Sequence, residues 1–485
     1  MRGGGSRSSG AKHILSLLLS LLLLLRSPGG VGAWQFVTDG GAVYGRPTFS
    51  HDGRSVYVTS MSANTTHPAA LWALRVADGA PLWAQPYRLG RCPYVWHNRV
   101  CGAHGAARLS PDGETLYLVG EDYRAHAVSA ETGRAVWQSP FLGAKLEGTP
   151  ALEGTSLYVA TGLNKANATA SGVLRALDPA TGAVQWSWRS QVNGSRGTPF
   201  WAAPTLASLS DGRRVLLLGS KEGEMFAFDT RPGAEQRVLW RWALPQLPKP
   251  ADAWGCVGAG IYGTATHEIH VVGTELTIVR WLGLAETAAV LDDIVYFGSR
   301  NCQMYALHAS NGSLAWHAKQ QGVLDLSSPA AARTPRPNGA AVGTVFFGTD
   351  PTSQNSSVVA LDAASGAEVW VRTAPTTGIG TAPTLSPDGR VMYIGAPMSG
   401  SESGGLWALA TATGARLWEF STPGLRRAGL QGNPALGPGG GVLVFGGCDC
   451  TVTALNATDG APLRAAAPLR SADGGGGPAQ CRGCV

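Results

Sequence analysis

Charged residues and long apolar segments are both scarce in this chain. Only 14% of its 485 residues are Asp, Glu, Lys or Arg, while 44% are hydrophobic and 66 are Gly. A disordered chain needs more charge than this, and a helical protein uses less Gly. Beyond residue 33, no stretch is apolar and long enough to predict a membrane span. The composition instead favours many short strands joined by tight turns.

The first 33 residues have the pattern of a secretory signal peptide. Arg2, Arg7 and Lys12 precede the apolar run Ile14–Leu25, and the small residues of Val31–Ala33 follow as a cleavage region. The apolar run is short for a membrane span. We therefore expect a mature chain from about residue 34, in the lumen of the secretory pathway or outside the cell, without a membrane span.

The charge and the sequons favour the surface of a secreted glycoprotein. The net charge is +6, and removal of the four basic residues in the signal leaves about +2, which gives no reason to expect a nucleic-acid partner. Six Asn-x-Ser/Thr sequons fit a glycosylating pathway. These glycosylation candidates are Asn64, Asn167, Asn193, Asn311, Asn355 and Asn456.

One short pattern recurs eight times along the chain. It reads ALDPATGAVQW at Ala176–Trp186 and ALDAASGAEVW at Ala360–Trp370, with Gly at the predicted turn. Upstream of each copy lie a short strand, a Pro/Asp/Gly turn and a second strand, as in Thr381–Pro397. Four strands in repeats of about 50 residues predict β-propeller blades.

The fold prediction is therefore an all-β, eight-bladed propeller with four antiparallel strands per blade, named A to D in chain order from the centre outward. It covers residues 34–470, with insertions at about 88–103 and 245–285, and residues 471–485 form a Gly-rich tail with a Cys pair. Small residues at the starts of the A strands fit a crowded ring centre.

The Trp that ends each copy offers a large apolar face and one N–H donor, which suits it to tie one blade to its neighbour. This pattern resembles the tryptophan-docking motif of the pyrroloquinoline quinone (PQQ) repeat family, the quinoprotein alcohol dehydrogenase-like propellers. The resemblance covers nearly the whole mature chain. The predicted docking residues are Trp34, Trp83, Trp137, Trp186, Trp240, Trp316, Trp370 and Trp418.

Trp34 predicts how the ring closes. It precedes Pro47 by 13 residues, the same spacing as from Trp137 to Pro150, and the last repeat has Arg464 where its Trp is expected. We therefore expect the N-terminal strand to supply the outer strand of blade eight, paired near Val452–Leu455, which would remove an exposed sheet edge.

The resemblance also implies a chemistry that this sequence does not reproduce. Enzymes of the family bind PQQ beside Ca²⁺ on the propeller axis and typically use two adjacent Cys, acidic and Asn calcium ligands, and a catalytic Asp. This chain has no adjacent Cys pair, and Cys448-Asp449-Cys450 is the nearest approximation. We therefore expect no cofactor, with PQQ and calcium as the alternative.

Four acids lie near the inner strands, and we expect them to be turn or rim carboxylates rather than channel ligands. The His residues lack the spacing of a zinc site. The sequence thus identifies no catalytic, cofactor-binding or metal-ligating residue, and no cluster of three acidic or amide side chains is expected at the channel mouth. The four acids are Glu153, Glu286, Asp292 and Asp293.

The eight Cys predict disulfides, whose connectivity cannot be derived from sequence. Cys92 and Cys101 bracket an insertion and would staple it, and Cys256 would pair with Cys302. The remaining four favour a tail stapled to blade eight over a redox pair, because a flexible tail has no helix N-terminus to lower a thiol pKa. They are Cys448, Cys450, Cys481 and Cys484.

These observations predict a non-catalytic, secreted binding or scaffold propeller that holds a protein or glycan partner on one face. Similar propellers, such as the bacterial outer-membrane assembly lipoprotein, bind other proteins. A PQQ- and calcium-dependent dehydrogenase acting on alcohols or sugars is one alternative. A glycan-binding propeller is another, supported by the loop aromatics Tyr94, Trp96 and Trp254.

Overall fold

The computed structural model describes most of the chain between residues 34 and 470. Outside the description lie residues 1–33, 40, 62–67, 92–101, 163–170, 191–198, 201, 222, 235–236, 245–287, 300, 325–326, 337–338, 352–355, 375–378, 380, 398–403, 423–431, 448, 462–468 and 471–485. The signal segment, the tail and most of both insertions fall in these ranges. Among the residues that are described, no helix is long and apolar enough to cross a membrane.

The described strands form eight sheets, one for each predicted blade, which confirms the eight-bladed propeller. Strands A to D of blade one are β2 (Thr48–Phe49), β3 (Ser55–Ser60), β4 (Ala70–Arg75) and β5 (Tyr87–Arg88). Blade two has β6 (Arg108–Leu109), β7 (Thr115–Val119), β8 (Ala125–Ser129) and β9 (Ala135–Gln138). Blade three has β10 (Ala151–Glu153), β11 (Ser156–Ala160), β12 (Val173–Leu177) and β13 (Val184–Arg189). Blade four has β14 (Thr205–Ser208), β15 (Arg214–Gly219), β16 (Glu224–Asp229) and β17 (Val238–Ala243).

The second half of the ring repeats the arrangement with two additions. Blade five has β18 (Ala289–Leu291), β19 (Ile294–Ser299), β20 (Gln303–His308) and β21 (Leu314–Lys319). Blade six has an extra short strand β22 (Gly322–Val323) beside β23 (Ala330–Pro335), β24 (Ala341–Pro351), β25 (Ser356–Asp362) and β26 (Glu368–Ala374). Blade seven has β27 (Thr384–Leu385), β28 (Val391–Pro397), β29 (Gly404–Ala410) and β30 (Arg416–Thr422). Blade eight combines β31 (Ala435–Leu436), β32 (Val442–Gly446) and β33 (Thr451–Asn456) with β1 (Gln35–Val37) and β34 (Leu469–Arg470).

The hydrophobic core is divided into clusters that each join neighbouring blades. Leu217 of blade four and Val295 of blade five belong to one such cluster, and Val159 of blade three packs with Val119 of blade two in another. A four-stranded sheet cannot bury both of its faces alone, so each blade depends on its neighbours.

The recurring Gly closes the turn between strands C and D. Gly182 has a φ of 73°, a conformation that side-chain-bearing residues rarely adopt. Its N–H donates to Asp178 O at 2.7 Å, and the Asp178 carboxylate accepts from Ala180 N at 2.7 Å. The missing Cβ also makes room for the Trp137 ring, which a side chain at Gly182 would meet at 2.5 Å.

Seven of the eight predicted docking Trps donate their indole N–H to a backbone carbonyl of the following blade, as the tryptophan-docking motif requires. Trp34, Trp83 and Trp240 are buried, whereas the other docking Trps are half-buried. The observed bonds are Trp34 to Val76 O (2.7 Å), Trp83 to Ala130 O (3.1 Å), Trp137 to Pro179 O (2.8 Å), Trp240 to Ala309 O (2.8 Å), Trp316 to Ala363 O (3.0 Å), Trp370 to Thr411 O (2.8 Å) and Trp418 to Ala457 O (3.3 Å).

Trp186 departs from the pattern. A Cβ at Gly233, the turn Gly of the next blade, would meet nothing within 4 Å. The guanidinium of Arg237 lies over the Trp186 ring instead, 4.7 Å from its centroid. The longer fourth copy thus replaces the usual Trp–Gly contact with a cation–π contact.

The N-terminal strand closes the ring as predicted. Strand β1 pairs antiparallel with β33, with Phe36 opposite Val452, and Trp34 O accepts from Ala454 N at 3.0 Å. One detail differs, because β34 pairs in parallel with the outer side of β1, with Leu469 opposite Phe36. The N-terminal strand therefore takes the D position of blade eight without being its outermost strand.

The structure bears on only part of the cysteine and sequon predictions, because most of these residues lie outside the described ranges. Cys302 and Cys450 lie buried in B–C turns, both with positive φ, and neither is a free thiol. The other six Cys lie outside the described residues, so their connectivity stays a prediction. Asn311 is exposed in a C–D turn, and Asn456 is half-buried at the end of β33. The remaining sequons, at Asn64, Asn167, Asn193 and Asn355, lie outside the described residues.

Candidate functional site

Three successive blades place a distinctive side chain at the same point of the ring. Tyr44, His104 and Glu147 each lie four residues before the first residue of strand A in blades one, two and three. Each of them is followed directly by Gly. This position belongs to the D–A connection, which shares one face of the propeller with the B–C turns, and we call it the D–A/B–C face.

Backbone contact between the glycines holds these positions together. A Cβ on Gly45 would meet Gly105 O at 2.8 Å, and a Cβ on Gly105 would meet Gly148 C at 2.8 Å. In the same row, a Cβ on Gly148 would meet Ala203 Cα at 2.7 Å. Only Gly permits so close a backbone approach, and it brings side chains of adjacent blades into contact.

Glu121 from the B–C turn of blade two completes a compact group with His104 and Glu147. One ligand atom from each of the three lies within 4.8 Å of the other two. His104 Nε2 is 3.6 Å from Glu121 Oε1, and the backbone N–H of Gly102 donates to Glu121 Oε2 at 2.8 Å. His104 is 5% exposed and Glu147 only 1%. We call these three residues the axial triad.

Lys145 supplies the positive charge next to the axial triad. Its ammonium pairs with the Glu147 carboxylate and lies 3.7 Å from Glu121 Oε1. Buried carboxylates of this kind need a cation nearby, because removing them from water is costly. The side chains of Glu121 and Lys145 retain 17% and 22% exposure, so both reach solvent.

The pKa shifts favour a charged cluster. Burial is the largest influence on the pKa of Glu121 and raises it, but the hydrogen bond and charge of His104 and the charge of Lys145 outweigh it. The net effect lowers the pKa of Glu121 to about 2. Burial lowers the pKa of His104, yet the hydrogen bond and charge of Glu121 raise it overall. Burial also lowers the pKa of Lys145, and the charges of Glu147 and Glu121 raise it overall.

Tyr44 covers the imidazole from blade one. Its ring lies nearly parallel to that of His104, with centroids 6.1 Å apart and an interplanar angle of 9°. Burial raises the pKa of Tyr44, so the phenol stays neutral. Tyr44 therefore borders the cluster without adding charge.

A second polar network adjoins the first through the sequence neighbour of Glu121. Asp122 accepts from Gly90 N at 2.9 Å and lies 3.0 Å from His126 Nε2. His126 Nδ1 is 2.9 Å from Tyr87 Oη. Both nitrogens of this buried His are therefore partnered, and the network binds blade two to blade one as a structural contact.

The acids that the sequence analysis located near the inner strands lie away from the axial triad. The three described ones do not meet at one point. Glu153 pairs with Arg214 at 2.5 Å in an A–B turn, on the face opposite the axial triad. Asp292 and Asp293 form the two-residue A–B turn of blade five, where Asp292 pairs with Arg333 at 2.8 Å. Glu286 lies outside the described residues. Turn or rim roles account for the three described carboxylates.

A cavity of about 400 Å³ lies between the A strands of blades one, seven and eight. Its polar members include Arg46, which donates to Thr384 Oγ1 at 3.2 Å. The other residues that line it are Pro47, Phe49, Leu385, Pro387, Ala435, Leu436, Gly437 and Pro438. The residues that line this cavity include no carboxylate or amide side chain, which are the side-chain ligands that calcium usually takes.

Sequence reasoning missed the axial triad. His104 and Glu121 are 17 residues apart and belong to different connections, and Glu147 is in the next blade. The repeat pattern did contain a signal, because the dipeptides Tyr44-Gly45, His104-Gly105 and Glu147-Gly148 fall at one position of the repeat. Aligning the starts of the A strands would have brought these polar residues into one column.

The sequence of this chain is similar to those of known proteins. The chain matches the family model described as outer membrane protein assembly factor BamB over residues 94–248 and 326–477, more than half of its length. Tetrathionate hydrolase of Acidithiobacillus ferrooxidans is 25% identical over 413 residues, covering 75% of this chain and 71% of that protein. A polyvinylalcohol dehydrogenase of a Pseudomonas species is 24% identical over 467 residues, covering 81% of this chain but only 64% of the dehydrogenase.

Solved structures show the same fold. The crystal structure of BamB from Moraxella catarrhalis aligns with a TM-score of 0.53 and 19% identity, covering 87% of this chain and 98% of that one. A likeness at this identity concerns the fold, whereas the family match rests on sequence. The chain belongs to the PQQ-repeat propeller family described as outer membrane protein assembly factor BamB.

Proposed function

We propose that this chain is a non-catalytic, secreted binding or scaffold propeller that holds a protein partner on its D–A/B–C face. The observation that carries the proposal is the position of Phe141. Its side chain is 48% exposed in the D–A connection after blade two, and its ring lies 5.3 Å from that of Tyr123 in the adjacent B–C turn. Phe is among the aromatic residues that are enriched in protein–protein interfaces.

The other exposed large hydrophobic residues among those described follow a different pattern. Six of them lie on D strands at the outer edge of a blade, and Leu82 lies a few residues before the D strand of blade one, where its N–H donates to Ala73 O. Phe141 differs from these residues because it lies on the D–A/B–C face. The residues on or beside D strands are Leu82, Val136, Val184, Leu239, Leu314, Val371 and Leu417.

The family match supports a binding role, because its description names an assembly factor. Along the chain, both insertions predicted from sequence fall between a D strand and the next A strand, and long connections of this kind often carry binding residues. A signal segment at the N-terminus would deliver such a module to the secretory pathway.

A quinoprotein dehydrogenase is the second candidate, favoured by the similarity to polyvinylalcohol dehydrogenase over 81% of this chain. The residues at hand do not fit its cofactors. Ca²⁺ takes six to eight oxygen ligands, whereas the axial triad offers an imidazole and two carboxylates already paired with Lys145. The sequence also lacks adjacent Cys. The glycan-binding alternative rests on Tyr94, Trp96 and Trp254, which lie outside the described residues.

A photo-crosslinking experiment tests the binding role. The full chain carries a photoreactive phenylalanine analogue at position 141, or at Val184 on a D strand as a matched control with 42% exposure. Irradiation in extracts of the native secretory fraction should give one discrete crosslinked protein from position 141 and none from position 184. Equal patterns from both positions would contradict a binding face at Phe141.

A parallel assay tests the dehydrogenase. The purified chain is incubated with PQQ and Ca²⁺, and dye reduction is followed with alcohols, aldoses and polyvinyl alcohol. We expect no turnover above the cofactor alone. Turnover that requires both PQQ and the protein would overturn the non-catalytic role.

A further inference from the structure

The axial triad contains more unsatisfied bonding capacity than a structural ion pair needs. Glu147 Oε2 has no hydrogen-bond partner within the described part of the chain, and neither does His104 Nδ1, although both residues are more than nine-tenths buried. Buried polar atoms are normally satisfied, so each exception requires an explanation. The Glu147 oxygen belongs to the cluster and indicates a missing ligand there, whereas His104 Nδ1 points away from the Nε2 atom that faces Glu121.

The donor types define that ligand. An imidazole nitrogen with two carboxylates is a set that first-row divalent ions accept, because imidazole suits zinc, iron and nickel while carboxylates bind most divalent ions. An anion would be repelled by the two carboxylates. Ca²⁺ and Mg²⁺ prefer oxygen alone and would leave the imidazole unused.

The spacing is close to what such an ion requires. Zinc binds nitrogen and oxygen at about 2.0–2.2 Å, so two donors of a tetrahedral ion lie roughly 3.4 Å apart. His104 Nε2 and Glu121 Oε1 are 3.6 Å apart, and all three ligand atoms lie within 4.8 Å of one another. Small rotations of the Glu side chains would bring the set to bonding distance.

We propose that His104, Glu121 and Glu147 form a binding site for one divalent first-row transition-metal ion, with Zn²⁺ as its representative. Three connections of the ring converge on the ion, from the D–A connections before blades two and three and from the B–C turn of blade two. The exposed parts of Glu121 and Lys145 provide its route from solvent. The site does not depend on the binding role proposed above.

Lys145 competes with the metal ion for the two carboxylates. Its ammonium already neutralises Glu147 and approaches Glu121, so a metal ion must displace it from both carboxylates. Replacing Lys145 by Met keeps a side chain of similar length and removes the competing charge. The metal site therefore predicts that Lys145→Met binds the ion more tightly, an effect that misfolding cannot produce.

Metal titration of the full chain tests the site. The purified protein is dialysed against chelator and titrated with Zn²⁺ by calorimetry and with Co²⁺ by visible absorption. We expect one ion per chain, and excess Ca²⁺ should not displace it. Absence of a one-to-one site, or displacement by Ca²⁺, would overturn the proposal.

Matched variants locate the ion. Changing even a group that supports a metal ligand costs about 10–100-fold in affinity, so Glu147→Gln and His104→Asn should each weaken Zn²⁺ binding by at least about 100-fold. His317→Asn and Glu368→Gln, which change an exposed His and an exposed Glu outside the triad, should not alter it. Equal affinity of the triad and control variants would overturn the proposal.

Two further measurements do not depend on those variants being folded. Lys145→Met should bind Zn²⁺ at least about tenfold more tightly than the natural chain, and unchanged or weaker binding would count against the site. X-ray absorption at the zinc edge of the natural chain should show one imidazole with oxygen ligands. Sulfur ligands, or several imidazoles, would place the ion elsewhere and overturn the assignment.

Discussion

His104 and Glu147 hold the same position in successive blades, and their side chains meet because the glycines after them touch. A Cβ on Gly105 would lie 2.8 Å from Gly148 C. The row of glycines thus sets the distance between blades at the inner end of the ring. Repeat architecture converts a polar residue at one position of each repeat into a cluster at one point in space.

The close contact between these glycines predicts that a side chain added at one of them lowers the stability of the propeller. Gly105→Ala should destabilise the propeller by about 1–3 kcal/mol, the usual cost of overpacking, because the new methyl meets backbone that cannot rotate away. Gly439→Ala is the matched control, since a Cβ there would meet nothing within 4 Å. It should change stability by less than about 0.5 kcal/mol. Denaturant unfolding of both variants compares the two, and equal stability would show that blades two and three are not in close contact.

The docking motif predicts that the Trp ring and its N–H contribute separately. Trp370 packs on Gly414, where a Cβ would meet the ring at 2.7 Å, and donates to Thr411 O at 2.8 Å. Trp370→Ala should cost about 3 kcal/mol, at the low end for a large aromatic because the ring is half-buried. Trp370→Phe keeps an aromatic face and loses the hydrogen bond, so it should cost about 1 kcal/mol. A Phe variant as unstable as the Ala variant would mean that the hydrogen bond, not the packing, dominates.

Much of the fold could be predicted because the repeat frame gives every blade the same spacing. The position of Trp34 relative to Pro47 was enough to predict a closing strand, and β1 pairs with β33 at the expected end of blade eight. Strand β34 could not be predicted, because two residues, Leu469 and Arg470, carry no periodic signal. Their pairing depends on the free edge of β1, which exists only once the ring has closed.

Closure predicts that the N-terminal strand stabilises the whole ring. Trp34 is 4% exposed, packs on Gly79 of blade one and belongs to the core cluster that includes Val444 of blade eight. Deleting residues 34–38 should therefore lower the free energy of unfolding by several kcal/mol, since the loss of one large buried aromatic costs about 3–5 kcal/mol. Gln35→Ala, which changes a half-buried side chain of the same strand, is the control. Thermal unfolding that leaves the midpoint unchanged after the deletion would contradict a closing role.

The candidate site was harder to predict than the fold. Its members come from three connections, and no short motif joins His104 to Glu121 or to Glu147. Inner-strand acids such as Glu153 were expected to be turn or rim carboxylates, and strand direction does place that carboxylate at an A–B turn on the opposite face. Only the contact between neighbouring blades shows which polar residues share a site.

The last prediction concerns Asp449, in the B–C turn of blade eight between two Cys. Burial raises the pKa of this carboxyl, against hydrogen bonds from Thr451 Oγ1 and Thr451 N. A raised pKa means that the folded state binds the proton more tightly than the unfolded state does. The contribution of Asp449 to stability is therefore complete below its ordinary pKa of 3.8 and is lost as pH rises through the higher folded value. Asp449→Asn should accordingly stabilise the protein at neutral pH and have little effect in acid.

Asp388→Asn is the comparison of opposite sign. The hydrogen bond from Ser386 lowers the pKa of that exposed carboxyl, so removing the charge of Asp388 should not stabilise the protein at neutral pH. Unfolding midpoints of both variants and the natural chain across acid and neutral pH provide the measurement, and a neutral-pH loss of stability in Asp449→Asn would show that the carboxylate is stabilised by its turn rather than opposed by burial.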